Sequence, residues 1–305
     1  MRAAWYRIEH QTRYVHGSQV SMSQHVACLT PRRHDRQTVH EYALEVEPQP
    51  ADCVERTDYY GNTATQFSIL RPYTELRVRA VSLVEVRASE LPTDPDNSPA
   101  WEDVRLAGAF RRGVPLDQSA QFRYRSPYIE PDAELAAFAR AAFTPRRPLL
   151  AAAVDLMQRI HDEFQFDPGA TTLTTPISRV LSERRGVCQD FAHLQIACLR
   201  SMGLPARYTS GYLLTDPPPG SPRLIGADAS HAWLSVWCPR HGWVDLDPTN
   251  AVLPGLRHVT LAWGRDYGDV SPLRGVVLGG GEHELTVGVS VVPASEPKPD
   301  AARTP

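Results

Sequence analysis

The sequence predicts an α+β protein in two parts, an N-terminal antiparallel β-sandwich followed by a unit in which helices precede an antiparallel sheet. Three observations carry this. Short β-leaning runs divided by turn signals fill the chain from Trp5 to about Val86, apolar spacings of three and four take over between Asp132 and Met202, and strand alternation returns from Arg207. A chain of 305 residues, 42% apolar and 22% charged, has ordinary globular composition and enough length for two cores. The expected division is a sandwich over residues 1–95, the second unit with its connecting helices over residues 96–292, and a Pro- and Ala-rich disordered tail over residues 293–305.

In the first part, Ala43 to Glu47 alternates, Tyr60-Gly61-Asn62 marks a turn, and Leu76, Val78, Ala80, Ser82, Val84 and Val86 share one strand face. The Pro-, Asp- and Ser-rich stretch from Ser89 to Pro99 reads as the joining segment. Asp132 to Phe143 and Pro148 to Phe164 read as helices, the second with Leu150, Val154, Met157 and Ile160 in register. Thr175-Pro176 opens another helix, which Gly186 ends. A further helix starts at Cys188, with Val187, Phe191, Leu194, Cys198 and Met202 as its core stripe and Gly203 and Pro205 as its stop. Strands follow at Arg207–Leu214, His231–Cys238, Trp243–Asp247, His258–Ala262 and Glu284–Val292, the last after a Gly279-Gly280-Gly281 turn.

Charge narrows the function. The net charge of −3 arises from 32 basic and 35 acidic residues scattered along the chain, which excludes the basic stripe of a nucleic-acid binder. The N-terminal residues lack the apolar segment of a signal peptide, and no apolar run reaches the roughly 18 residues of a membrane span. A cytoplasmic address without a membrane partner is the expectation. Five cysteines, odd in number and without CxxC pairs, argue against a disulfide framework.

One constellation carries chemistry. A thiol becomes a nucleophile when its thiolate is stabilised, and the first turn of a helix supplies partial positive charge and unpaired N–H groups. Gly186-Val187-Cys188 puts a thiol there, and the Cys188 amide can also serve an oxyanion. Such a thiol needs a base. His193 lies five residues on, roughly 140° round the helix at about 100° per residue, and points away. His231 fits better, on a strand face shared with Trp233, Ser235 and Trp237. The next strand forms a hairpin with it and carries Asp245 and Asp247 on one face, either of which could orient the imidazole.

These residues resemble the transglutaminase-like superfamily of papain-type folds, in its bacterial branch with an N-terminal β-domain. The stretches are Gly186 to Ala192, Gly203 to Arg207, Ser210-Gly211-Tyr212, Ser230 to Trp233 and Gly242 to Asn250, joined by Tyr6 to Thr12, Pro31-Arg32, Tyr59 to Asn62 and Gly264 to Tyr267. The resemblance implies a papain-like transglutaminase core and a Cys188, His231, Asp247 triad, with Asp247 assigned over Asp245 by the Asp-Pro-Thr segment. It implies attack of Cys188 on an amide carbonyl, a thioester acyl-enzyme, and release to water or to an amine. The animal cross-linking members carry Trp after the nucleophile and another upstream. Here Gln189 follows Cys188 and no Trp occurs from Glu102 to Val187, which favours hydrolysis over amine transfer. The expected partner is a peptide, protein or amino-acid-polymer substrate, and a non-catalytic polypeptide-binding module is the rival reading.

Plainer roles are assigned elsewhere. Cys28, Cys53, Cys198 and Cys238 read as packing residues, Asp190 as a helix cap, and Trp233, Trp237 and Trp243 as core or sheet-face residues. Gly264 to Tyr267 reads as a structural ion pair or an active-site rim. No cofactor or metal is expected: no acidic loop resembles a calcium site, and the spacings of Cys188, His193, His231 and Cys238 match no zinc pattern.

Overall fold

The computed structural model describes residues 2–88, 94–109, 117–215 and 230–296. The chain opens with β1 (Ala3–Ala27), β2 (Gln37–Glu47), β3 (Asp52–Thr57), β4 (Thr63–Ile69) and β5 (Tyr73–Arg87). The helical stretch holds α1 (Trp101–Ala107), α2 (Ala133–Arg140), α3 (Leu149–Glu163), α4 (Ile177–Glu183) and α5 (Cys188–Ser201), with a two-residue parallel pair, β6 (Gln165–Phe166) and β7 (Arg185–Gly186), leading into α5. The antiparallel strands β8 (Ala206–Leu213), β9 (Ser230–Cys238), β10 (Gly242–Leu246) and β11 (His258–Gly264) form a second sheet in the order β10-β9-β8-β11. The short α6 (Tyr267–Val270) precedes β12 (Leu273–Gly279) and β13 (His283–Ala294).

The first sheet is organised by β1, which bends between Val15 and Val20. Before the bend it lies between β5 and β13, and after it between β4 and β12. The two half-sheets close on one core that includes Val20, Phe67, Ile69, Leu76 and Val78. The strand from Glu284 to Val292, read from sequence with the 96–292 unit, instead pairs with β1. The β12 strand beside it was not anticipated, and its mostly exposed faces explain why: burial on one side is what writes alternation into a sequence. β13 runs on to Ala294, inside the stretch read as the tail. The rest of that tail from residue 297, and residues 89–93 of the joining segment, lie outside the described residues.

The shared face of β5 serves two cores. Leu76, Val78 and Ala80 point into the sandwich core, while Val84 and Val86 enter the larger core around α5, with Tyr6 and Ile8 of β1. A buried hydrogen bond of 2.9 Å joins His10 Nδ1 on β1 to the Tyr212 hydroxyl on β8. The stretches Pro31-Arg32 and Tyr59 to Asn62 dock on β11: Asn62 bonds both the N–H and the carbonyl of Trp263, and Gln37 does the same to Thr260. The N-terminal part thus covers what would be the free edge of the second sheet.

Helix α5 is buried all round rather than along one stripe, from Asp190 to Arg200. Its polar residues carry their own partners, as buried groups must. Arg200 donates to the carbonyls of Tyr124, Ala206 and Arg265, and Gln195 to that of Ala153. Arg265 forms its ion pair with Asp269, not with neighbouring Asp266, and Asp266 accepts from the backbone of Gly268 and Tyr128. In this arrangement Gly264 to Tyr267 is a structural clamp beside α5.

Candidate active site

Cys188 is the first residue of α5 and is partly buried against the main core. The start of the helix is held by Asp190, whose Oδ2 accepts from the Val187 N–H at 2.8 Å and from the Thr171 hydroxyl at 2.6 Å. Gly186 makes this possible. A Cβ there would lie 2.8 Å from both the Cβ and Oδ2 of Asp190, so any larger residue would push the cap off the helix start. Burial raises the Asp190 carboxyl above its ordinary value, against the hydrogen bonds from Thr171 and Val187.

His231 sits at the start of β9, opposite Gly211 of β8, with 8% of its surface exposed. A Cβ on Gly211 would come within 2.3 Å of the Trp233 ring and 2.2 Å of the Val259 carbonyl. Glycine therefore lets fully buried Trp233 lie against β8, beneath the His231 ring at 5.9 Å. His231 Nε2 lies 2.7 Å from Asp247 Oδ2. Since that nitrogen is engaged, Nδ1 remains for the Cys188 thiol, the other hydrogen-bond partner of the ring.

The hairpin register separates the two aspartates. Asp245 pairs with Ser235, four residues from His231, and spends its carboxylate on the Ser235 hydroxyl at 2.6 Å and on Arg36 at 3.3 Å. Asp247 follows the end of β10 in a turn closed by its own backbone bonds to Val252. There its Oδ1 accepts from the N–H groups of Thr249 and Asn250 at 3.0 and 3.3 Å, which leaves Oδ2 for His231. The structure thus brings Cys188, His231 and Asp247 together. His193 is elsewhere, buried between Tyr128 and Tyr208 and accepting from the Tyr267 N–H at 3.1 Å.

Two neighbours of Asp247 escaped the sequence reading. Asn250 Nδ2 donates to Oδ2 at 2.8 Å, and His258 Nε2 on β11 reaches the same oxygen at 3.1 Å. Asn250 could have been suspected from its place after Asp-Pro-Thr. Nothing local marks His258, because only the sheet order carries β11 to that point. His231, Asp247 and His258 offer one ligand atom each within 4.8 Å of one another, so these three are where a divalent ion would compete for the carboxylate. No helix among the described residues is long and apolar enough to cross a membrane.

The electrostatics follow from this packing. Burial alone would lower the His231 pKa, but its hydrogen bonds to Asp247 and Cys188, with their negative charge, carry it up to about 10. Burial works to raise Asp247, yet hydrogen bonds from His231 and His258 hold its carboxyl well below the usual range. A cationic imidazole in turn favours a thiolate beside it.

Sequence models of two families match the chain. One describes the bacterial transglutaminase-like N-terminal region and matches residues 6–85, and the other describes the transglutaminase-like superfamily and matches residues 136–248. The chain is 41% identical over 295 residues to an uncharacterized protein of Mycobacterium tuberculosis, covering 94% of this chain and 92% of that one. It is 33% identical over 123 residues to a protein-glutamine gamma-glutamyltransferase of Pseudomonas aeruginosa, a match covering 38% of this chain and 17% of that enzyme. A crystal structure from Cytophaga hutchinsonii, provisionally described as a cysteine protease, is similar in fold over 98% of this chain and 93% of that one, with a TM-score of 0.74 at 20% identity. By these matches, spanning both the β-domain and the core, the chain belongs to the transglutaminase-like superfamily, in the branch with the bacterial transglutaminase-like N-terminal region.

Proposed function

We propose that the protein is a thiol-dependent amide-bond enzyme of the peptidase or amidase type, with Cys188 as nucleophile, His231 as general base and acid, and Asp247 as the group that orients His231. The observation that carries this reading is the buried imidazole held between a carboxylate at 2.7 Å and the helix-start thiol. Cys188 Sγ attacks the substrate carbonyl, and the N–H groups of the first turn of α5 face the developing oxyanion. His231 delivers its proton to the leaving amine, giving a thioester on Cys188. Water, deprotonated by the same imidazole, then releases the acid and restores the thiol. The substrate class is a peptide, protein or amino-acid polymer.

Amine transfer is the second reading, favoured by the local similarity to the Pseudomonas gamma-glutamyltransferase. Gln189 beside the nucleophile, in place of the Trp of the animal cross-linking enzymes, weighs toward water. Incubation of a glutamine-containing protein with a labelled primary amine separates the two: label incorporated faster than ammonia appears without amine would shift the assignment to transfer. Cys188 itself is tested by iodoacetamide at pH 6, where it should react far faster than the exposed Cys53. Equal rates would overturn the nucleophile assignment, as would full turnover by Cys188→Ala.

A further inference from the structure

A polar cavity lies where the N-terminal part meets the second sheet. It measures about 810 Å³, within the range of small-molecule sites, and neither Cys188 nor His231 lines it. Arg207 of β8 forms its centre. Arg207 faces Ser235 across the sheet just as Gly211 faces His231, so the two positions are four residues, or about 13 Å, apart.

The surroundings of Arg207 are unusual for a buried cation. It is 8% exposed, with its guanidinium carbon 3.7 Å from the Trp263 ring centroid and 4.3 Å from that of Trp243. Arg32 lies 3.6 Å from the same Trp263 centroid. Two guanidinium carbons this close to one ring cannot share a face without overlapping, so Arg32, Trp263, Arg207 and Trp243 form one alternating column. The column stabilises the flat faces of Arg207 by cation–π contact but uses none of its N–H edge. Only Nε has a partner, the Ser235 hydroxyl at 3.3 Å. The terminal nitrogens have none among the described residues and are not sealed from the cavity they line. Asp245 accepts its hydrogen bonds from Ser235 and Arg36 and acts on Arg207 through its charge, not through a hydrogen bond. The cavity lining carries three cations, Arg36, Arg87 and Arg207, against two carboxylates, Asp35 and Asp245.

A buried cation is stable only when its charge and donors are answered. A guanidinium fork fixed by aromatic planes, with both terminal nitrogens unpaired among the described residues and beside a cavity that carries more cations than carboxylates, matches the geometry of a carboxylate. We infer that this cavity is a carboxylate-binding site, in which Arg207 takes the two oxygens of an organic carboxylate while Trp243 and Trp237 pack against the body that carries it. The group could be the C-terminus of a peptide or an acidic side chain. Its binding requires no chemistry at Cys188.

Calorimetry on the intact protein, in a buffer free of competing anions, tests this with two matched pairs. N-acetyl-Ala-Ala is compared with its C-terminal amide, and N-acetyl-glutamate α-amide with N-acetyl-glutamine α-amide. At least one acid should bind tenfold or more tightly than its amide, the tighter pair identifying the source of the carboxylate. That preference should vanish in Arg207→Gln and shrink in Arg207→Lys, which keeps the charge but loses the fork. If the substituted proteins do not fold, phenylglyoxal modification of the wild type, mapped by mass spectrometry, serves instead: the acid should slow labelling of Arg207 and the amide should not. Equal binding of acids and amides, binding of neither, or inorganic phosphate matching the acids would each overturn the assignment.

Discussion

Replacement of Asp247 by Asn tests the triad at its least exposed member. The two side chains are nearly isosteric, so the turn survives if the amide oxygen keeps the Thr249 and Asn250 N–H bonds now made to Oδ1. The amide nitrogen then stands where Oδ2 accepts from His231, His258 and Asn250. His231 must turn a lone pair toward that nitrogen, which places its proton on Nδ1 facing Cys188, the wrong tautomer for a base. An orienting carboxylate lost in this way costs about 10⁴ in kcat, or about 5 kcal/mol. The stability cost has the same origin. The folded pKa of about 10 lies above the ordinary 6.5, so this pairing stabilises the fold fully below pH 6.5 and fades as the pH rises through about 10. At pH 7 the Asp247 and Cys188 partners of His231 together contribute on the order of 4 kcal/mol. The assay is the rate of Cys188 alkylation at pH 6 beside hydrolysis of a peptide library. With His231 neutral, alkylation should slow by more than about tenfold, because the thiol loses the neighbouring cation that favours its thiolate. An Asp247→Asn protein that alkylates and hydrolyses within tenfold of wild type would refute the reasoning.

Three further outcomes are expected. Gly211→Ala should lower the melting temperature by several degrees, since its Cβ would overlap the Trp233 ring and the Val259 carbonyl and overpacking costs about 1–3 kcal/mol; an unchanged melting curve would contradict the close approach. His258→Leu should cost roughly 1.5–3 kcal/mol of stability through loss of one donor to a charged, fully buried carboxylate, with denaturant titration showing no change if His258 is a bystander. His10, His25 and His34 are held by burial at about 4, and His193 by burial and the Arg200 charge at about 3. Unfolding near pH 5.5 should therefore take up between about three and four protons, and stability should fall as the pH drops below 6.5, by up to about 5 kcal/mol per pH unit. A melting temperature flat from pH 7 to 5 would exclude this.

The local order of the chain was legible in the sequence because local physics writes it there. Helix starts need caps and strands buried on one face need alternation, so α5 could be placed at Cys188, and the buried face of β5 from Leu76 to Val86, before any contact was known. His193 could be set aside by helical angle alone. The choice between Asp245 and Asp247 could not be made from residues two apart on one predicted face. It depended on the pairing of Asp245 with Ser235 and on the turn after Leu246 that brings Asp247 back to His231. Long-range assembly was equally out of reach. That β13 returns to β1, that β11 carries His258 to Asp247, and that Arg207 lies between two tryptophans with its terminal nitrogens unpaired among the described residues are results of strand order and packing among residues far apart in the chain. A sequence records the face each residue must bury, and only the closed tertiary structure decides which other face it meets.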